Sequence, residues 1–352
     1  MKADRTLSIS SVATSSTYVE QVIDTIGYGR FQYWLLLLCS VGYFAVCAEL
    51  LVVVFIQSEL MKEFNLTPTR YAIFPFLTSL LSMISSTAFG YLSDRFGRKW
   101  PFVITLLISA VAGIASAFAW SFWSVVLFRC IVAIGLGGLS SLDYLIYVEF
   151  TPESRRGLYS TVVFVGGCLG VLYLAGVNLC DLSFSGIPQW RVLLILAAAP
   201  LLPAGLLRWY FRCETPRYLM ARRKVSEAHT VLLHMADENQ CERGTVPDLD
   251  EFTARTEEEF SNGKSGISDT DQLGFLEALR DIYNGEEFLR VTLPLCFIWL
   301  LQATAYWGLT LFLPGFLVES GLDANFTIFL MVLCELPGAA TIAFMLKKLS
   351  MS

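Results

Sequence analysis

Apolar residues run through this chain in long, nearly unbroken stretches, and charged positions gather in the gaps between them. Eight stretches, 33–56, 71–92, 100–119, 122–148, 160–180, 191–211, 291–318 and 326–346, reach the ~20 residues that cross ~30 Å of hydrocarbon at ~1.5 Å rise per residue. A buried core helix rarely needs that length. The expected fold class is therefore an all-α polytopic membrane protein with short connections everywhere except after the sixth stretch.

The polar segments divide the chain. Residues 1–30 hold Ser, Thr and scattered charges but no apolar core of a secretory signal, so they read as disordered and the first span acts as the insertion signal. Between 212 and 290 lies the one long connection. Residues 226–235 place Ala228, Val231, Leu232 and Met235 at helical spacing, as expected of a short helix on the membrane face. Residues 237–271 carry 11 acidic and 3 basic side chains among Gly, Ser and Thr, which reads as a solvated linker. The expected units are 31–211, a six-helix bundle, 212–290, the loop, and 291–346, two further helices.

Composition agrees: 55% of the 352 residues are hydrophobic and 16% charged, against about 45–50% and about 25% in soluble domains. The net charge of −6 reflects the acidic loop and is no sign of a nucleic-acid partner. The nine cysteines include no Cys-x-x-Cys pair, and most fall inside apolar runs, so neither a metal nor another cofactor is expected.

Lys and Arg set the orientation. One set of loops and span ends holds Arg30, Arg95, Arg98, Lys99, Arg155, Arg156, Arg208, Arg212, Arg217, Arg222, Arg223, Lys224, Arg290, Lys347 and Lys348. The other holds Lys62, Arg70 and Arg191. The first side is expected to be cytoplasmic, and with it both termini, in a plasma or vesicle membrane. Asn65-Leu66-Thr67 then falls on the opposite side as a glycosylation sequon.

Between spans two and three stands Gly90-Tyr91-Leu92-Ser93-Asp94-Arg95-Phe96-Gly97-Arg98-Lys99. Gly90 suits close helix approach, Gly97 an unusual backbone angle, and Asp94 accepts from Arg side chains or helix N-termini. The decapeptide resembles the signature loop of the major facilitator superfamily. Arg129-Cys130-Ile131-Val132-Ala133-Ile134-Gly135-Leu136-Gly137-Gly138 in span four is similar to that superfamily's Arg-then-glycine pattern. Glu149-Phe150-Thr151-Pro152-Glu153-Ser154-Arg155-Arg156-Gly157 and Glu214-Thr215-Pro216-Arg217-Tyr218-Leu219 resemble its sugar-porter-like branch. Ile26-Gly27-Tyr28-Gly29-Arg30-Phe31-Gln32, Trp190-Arg191-Val192, Tyr306-Trp307-Gly308-Leu309 and Glu335-Leu336-Pro337-Gly338 look most like synaptic-vesicle-two-related proteins. The resemblance implies a twelve-span fold of two six-helix bundles, here a complete first bundle and two helices of the second. It also implies that Asp94, Arg95, Arg98, Glu149, Arg156, Glu214 and Arg217, with Gly90 and Gly97, form a salt-bridge latch that breaks between conformations.

Ionisable groups inside spans are costly and point to function. Glu49 lies roughly 24 Å into span one and Arg129 roughly 10 Å into span four from the opposite side, so the two can pair, as a proton switch or as a static packing element. The resemblance puts the span-one acid a helical turn earlier, where Val46 stands, so Glu49 occupies a neighbouring face. Asp143 in span four either faces the cavity or reaches toward interfacial Arg residues. Gln302, Tyr306 and Trp307 in span seven suit a cavity wall for sugars or organic ions, or helix packing. Glu335 in span eight matches its motif with no assigned role.

The expected activity is secondary transport of a small organic solute by alternating access, with protons as a candidate second partner and lipid as the surroundings. The alternative is a truncated, non-transporting membrane protein that binds partners. No nucleotide-binding Gly-x-x-x-x-Gly-Lys-Ser/Thr loop occurs and no nucleophile–base arrangement stands out, so no enzyme is expected.

Overall fold

The computed structural model describes residues 17–180, 186–211, 213–242, 244–261 and 288–321, with isolated positions beyond. Among them, seven helices are long and apolar enough to cross a membrane. The chain opens with α1 (Tyr18–Ile26) and continues into the first spanning helix, α2 (Arg30–Phe55). A short α3 (Gln57–Glu63) leads to α4 (Pro68–Phe96), followed by α5 (Lys99–Ser116), α6 (Phe122–Glu149) and α7 (Arg156–Leu179). The sixth crossing is two pieces, α8 (Gln189–Ala198) and α9 (Leu201–Tyr210), interrupted at Ala199 and Pro200, where proline supplies no N–H to the ladder. The long connection holds α10 (Pro216–Ala221), α11 (Val225–Glu238) and α12 (Leu249–Ser261). A π-turn at Phe288–Thr292 opens α13 (Leu293–Glu319), the seventh crossing. The eighth expected span, with Glu335, lies largely outside the described residues.

Packing is pairwise. α4 and α5 lie against α6, α2 lies against α7, and α8 and α9 fill the space beside α2 and α5. Small residues set the closest approach. A Cβ at Gly166 would lie 2.7 Å from the Ser40 carbonyl oxygen, and one at Gly170 would strike the backbone of Phe44. α7 therefore meets α2 almost backbone to backbone. Two apolar clusters result. One, at the end where α4 turns into α5, joins Leu35, Leu142, Phe150, Leu219, Leu232 and Phe252. The other, at the far end, joins Val52, Phe74, Val125, Leu174 and Trp190.

Two expectations need correction. Residues 1–30 are not disordered throughout: Tyr18–Ile26 is a helix whose Val19, Val22, Ile23 and Ile26 are buried in the first cluster. The acidic loop is not a plain linker either. α12 buries Phe252 and Thr256, with Phe252 stacked near Tyr18 and His229. Polar composition, Ser, Thr and scattered charges in the first and acidic residues in the second, conceals both because each helix buries only a narrow stripe. Together α1, α10, α11 and α12 form a cap over one end of the bundle.

Candidate functional site

Glu49 projects from α2 and Arg129 from the second turn of α6, a helix whose start is fixed by Ser121 accepting the Ser124 N–H at 3.2 Å. Arg129 Nη1 donates to Glu49 Oε2 at 2.5 Å, and Nη2 donates to the Glu49 carbonyl at 2.7 Å. Both side chains are buried. A buried charge of this kind persists only with such pairing, and removing one partner costs about 3–5 kcal/mol. Gly113 of α5 is the third contact: a Cβ there would collide with Glu49 Oε1 and lie 2.8 Å from the Ala198 Cβ. Sequence reasoning missed Gly113, because one glycine among the small residues of a span gives no signal.

Beside the pair opens a cavity of about 340 Å³. Glu49 and Val53 face it from α2, Thr78 and Ser82 from α4, Arg129 from α6 and Trp307 from α13. Pro75 also lines it and interrupts the ladder of α4. The Thr78 hydroxyl donates back to the Phe74 and Pro75 carbonyls at 3.2 and 3.1 Å. Apolar walls with a few convergent polar groups suit a small-molecule site of this size. Trp307, itself exposed, thus edges the same cavity as the ion pair. Tyr306 packs edge-on to Trp307 at 5.6 Å, and neither Tyr306 nor the exposed Gln302 lines the cavity.

Asp143 lies apart from it on α6, 3% exposed, beside Gly42 of α2; a Cβ on Gly42 would sit 3.0 Å from Asp143 Oδ2.

At the capped end the signature loop is bracketed by the segment after α9. Glu214 Oε1 accepts the N–H groups of Arg98 and Lys99 at 2.8 and 2.9 Å, capping the N-terminus of α5 with a negative charge. Gly97 makes this geometry accessible. Its φ is +97°, and a Cβ there would lie 2.9 Å from Glu214 Cδ. Burial pushes the Glu214 carboxyl above the usual range, against the opposing pull of those two N–H donors. Arg98 pairs with Asp94, reaches Glu149 at 3.1 Å and donates to Ser93 Oγ at 2.8 Å. Burial alone would lower the Arg98 guanidinium, but Glu149 and Asp94 together hold it above its usual value. Arg222 donates to the Arg95 carbonyl at 2.7 Å and so caps the end of α4.

The expected latch splits into two groups. Arg98 gathers Asp94 and Glu149, while Arg156 and Arg217 come together elsewhere. Their common partner is Glu20 of α1, 3.5 Å from Arg156 Nη2 and in direct contact with Arg217. Burial raises the Glu20 carboxyl, yet Arg217, the Thr17 N–H and Arg156 together bring it below the usual carboxylate range. The residues 1–30 were read as disordered, so Glu20 was missed. Gly90 is not a packing glycine, since a Cβ there would meet nothing within 4 Å. The Arg95 side chain is exposed over Phe96, and only its carbonyl joins the cluster. At the far end Asn65 is exposed with φ of 50°. Glu59 accepts the Trp190 N–H at 2.9 Å, Glu63 accepts the Trp190 indole N–H, and Arg191 ties the Ala117 and Ala119 carbonyls.

The chain has relatives in sequence and in fold. The niacin transporter NiaP of Acinetobacter baylyi is 27% identical over 331 residues, covering 93% of this chain and 70% of that protein. The synaptic vesicle 2-related protein of Rattus norvegicus is 29% identical over 299 residues, covering 85% of this chain and 50% of that protein. The crystal structure of a bacterial homologue of the human lysosomal transporter Spinster aligns with 90% of this chain and 60% of its own, with a TM-score of 0.58 and 17% identity, a likeness of fold. The chain spans about half the length of several curated relatives it matches. The Major Facilitator Superfamily pattern itself matches residues 22–351. With its spans, its signature loop and that match in register, the chain is a multi-pass integral membrane protein that belongs to the Major Facilitator Superfamily.

Proposed function

We propose that this chain acts in secondary transport of a small organic solute, with the cavity beside Glu49 and Arg129 as the solute site and alternating access as the mechanism. The observation that carries this reading is the cavity itself: a largely apolar recess among spanning helices, with a buried ion pair and a few hydroxyls on its wall. Thr78, Ser79 and Ser82 offer hydroxyls, Trp307 offers a ring face, and Arg129 offers charge to an acidic solute. A relative covering most of this chain is a niacin transporter, and a heteroaromatic acid meets both Arg129 and Trp307. Niacin is therefore the first solute to try, ahead of sugars and organic cations.

In the same reading the capped end faces the cytoplasm, since its loops hold most of the Lys and Arg. The two charge groups there, around Arg98 and around Glu20, hold one conformation and separate in another. Protons are the coupling ion.

Binding of niacin, xylose and a quaternary ammonium to the purified full chain tests the site, read by fluorescence titration. One class is expected to bind, and Arg129→Lys is expected to weaken it at least tenfold, because a lysine cannot hold Glu49 and its carbonyl together. Binding that is unchanged in that variant would remove the cavity from the role.

A further inference from the structure

The bundle buries two acids, and they are not equivalent. Glu49 is paired through one carboxylate oxygen, Oε2, while its Oε1 has no hydrogen-bond partner among the described residues. Arg129 grips its carboxylate and its carbonyl from one guanidinium, and Gly113 lets α5 close over the pair. Asp143 is buried to the same degree, yet neither of its carboxylate oxygens has a hydrogen-bond partner among the described residues. Both acids are anchored through α6, the one by Arg129 and the other directly, 14 residues on, so the two sites lie roughly 21 Å apart along the helix axis. Asp143 is outside the cavity that Glu49 lines.

The groups facing Asp143 are few. From α2 come the Cys39 thiol, a weak donor in contact with the Asp143 carbonyl at 3.8 Å, and the Tyr43 phenol. On its own helix, Tyr147 lies one turn on. From α9 comes Arg208, the cation whose charge acts on it among the described residues, and Arg208 is also coupled to Glu214. Arg208 stacks on aromatic rings, and its Nη1 has no hydrogen-bond partner among the described residues. Its guanidinium lies over the rings of Phe102 and Phe211 at 4.6 and 5.0 Å, and no hydrogen bond joins it to Asp143 among the described residues.

An ionised carboxylate in an apolar site without hydrogen bonds is far more costly than a neutral carboxylic acid, which adds one proton and removes the charge. We infer that Asp143 is the proton-binding acid of this bundle, while Glu49 remains ionised as the partner of Arg129. The step is simple: the carboxylate takes a proton when its side of the bundle opens to water and returns it as carboxylate when Arg208 or water can stabilise the charge. This deepens the transport reading by naming the coupling residue, but the proton site exists whether or not a solute moves.

Infrared spectroscopy of the full chain in lipid nanodiscs decides it. At neutral pH the wild type is expected to show the carbonyl stretch of a protonated carboxylic acid. Asp143→Asn should abolish that band, and Glu49→Gln should leave it in place. Cys39→Ala should shift the band without removing it, which guards against a variant that fails to fold. A band that survives Asp143→Asn, or one that disappears in Glu49→Gln, overturns the assignment. Because the readout needs no transport, a chain that shows the Asp143 band and moves no solute supports the proton site and counts only against the transport reading.

Discussion

Gly97 holds together a cluster made of much larger side chains. Its φ of +97° is costly for any residue with a Cβ, and Glu214 occupies the space that a Cβ would need. Gly97→Ala is expected to lower stability by about 1–3 kcal/mol, combining backbone strain with a displaced helix cap. A thermal melt of the full chain reads the effect, and Gly90→Ala serves as a neutral control, since no described residue lies within 4 Å of a Cβ there. Glu20 gives a pH signature. Its folded carboxyl lies below the usual range, so the ionised form favours the docked α1. That contribution is present above the ordinary carboxylate range and is lost as pH falls through the folded value. Amide exchange in α1 should therefore accelerate on acidification, and Glu20→Gln should be fast at neutral pH and lack that dependence. A wild-type rate independent of pH would contradict the pairing with Arg156 and Arg217. Gly97 was legible because a ten-residue motif frames it. Glu20 was not, because its partners lie 136 and 197 residues away and only the folded cap brings them together.

At the scale of elements, the spanning helices were legible because lipid imposes length and apolarity on each one separately. The cap helices were not. α1 places Val19, Val22, Ile23 and Ile26 on one stripe, but over nine residues, too few for an isolated helix to hold in water. Its stability comes from α11 and α12, where Leu232 and Phe252 meet that stripe, from Glu259, which accepts the Tyr18 N–H at 3.2 Å, and from Asp24, which accepts the Glu153 N–H at 3.1 Å. Ile23→Ala is expected to remove about 2–5 kcal/mol of packing. Limited proteolysis near α1 should then rise sharply while the spanning helices keep their melting temperature. Cleavage no faster than in the wild type would mean that the cap does not depend on α1. The break between α8 and α9 has a local cause in Pro200, visible in the sequence, though its apolar run hid the interruption.

At the scale of the whole molecule, the pairing of α2 with α7 and of α4 and α5 with α6, with α8 and α9 beside α2 and α5, turns six apolar runs into one bundle with an inside. That inside is where Glu49 and Arg129 meet, and only depth along each span hinted at it beforehand. Hydrophobic periodicity cannot show which face of a fully apolar helix looks inward, so Gln302 and Tyr306 were as good candidates for the cavity wall as Trp307. The exposed apolar faces, such as Phe76, Met83 and Ile84 on α4, follow from a surface that meets lipid or further helices. The central claim is that this bundle moves a solute. Counterflow in reconstituted vesicles tests it most directly: vesicles holding the full chain are loaded with unlabelled niacin and diluted into labelled niacin. The account expects saturable accumulation of label that Arg129→Lys abolishes. Accumulation no greater than in protein-free vesicles, for niacin and for sugars and organic cations alike, with the bundle still helical by circular dichroism, would contradict it.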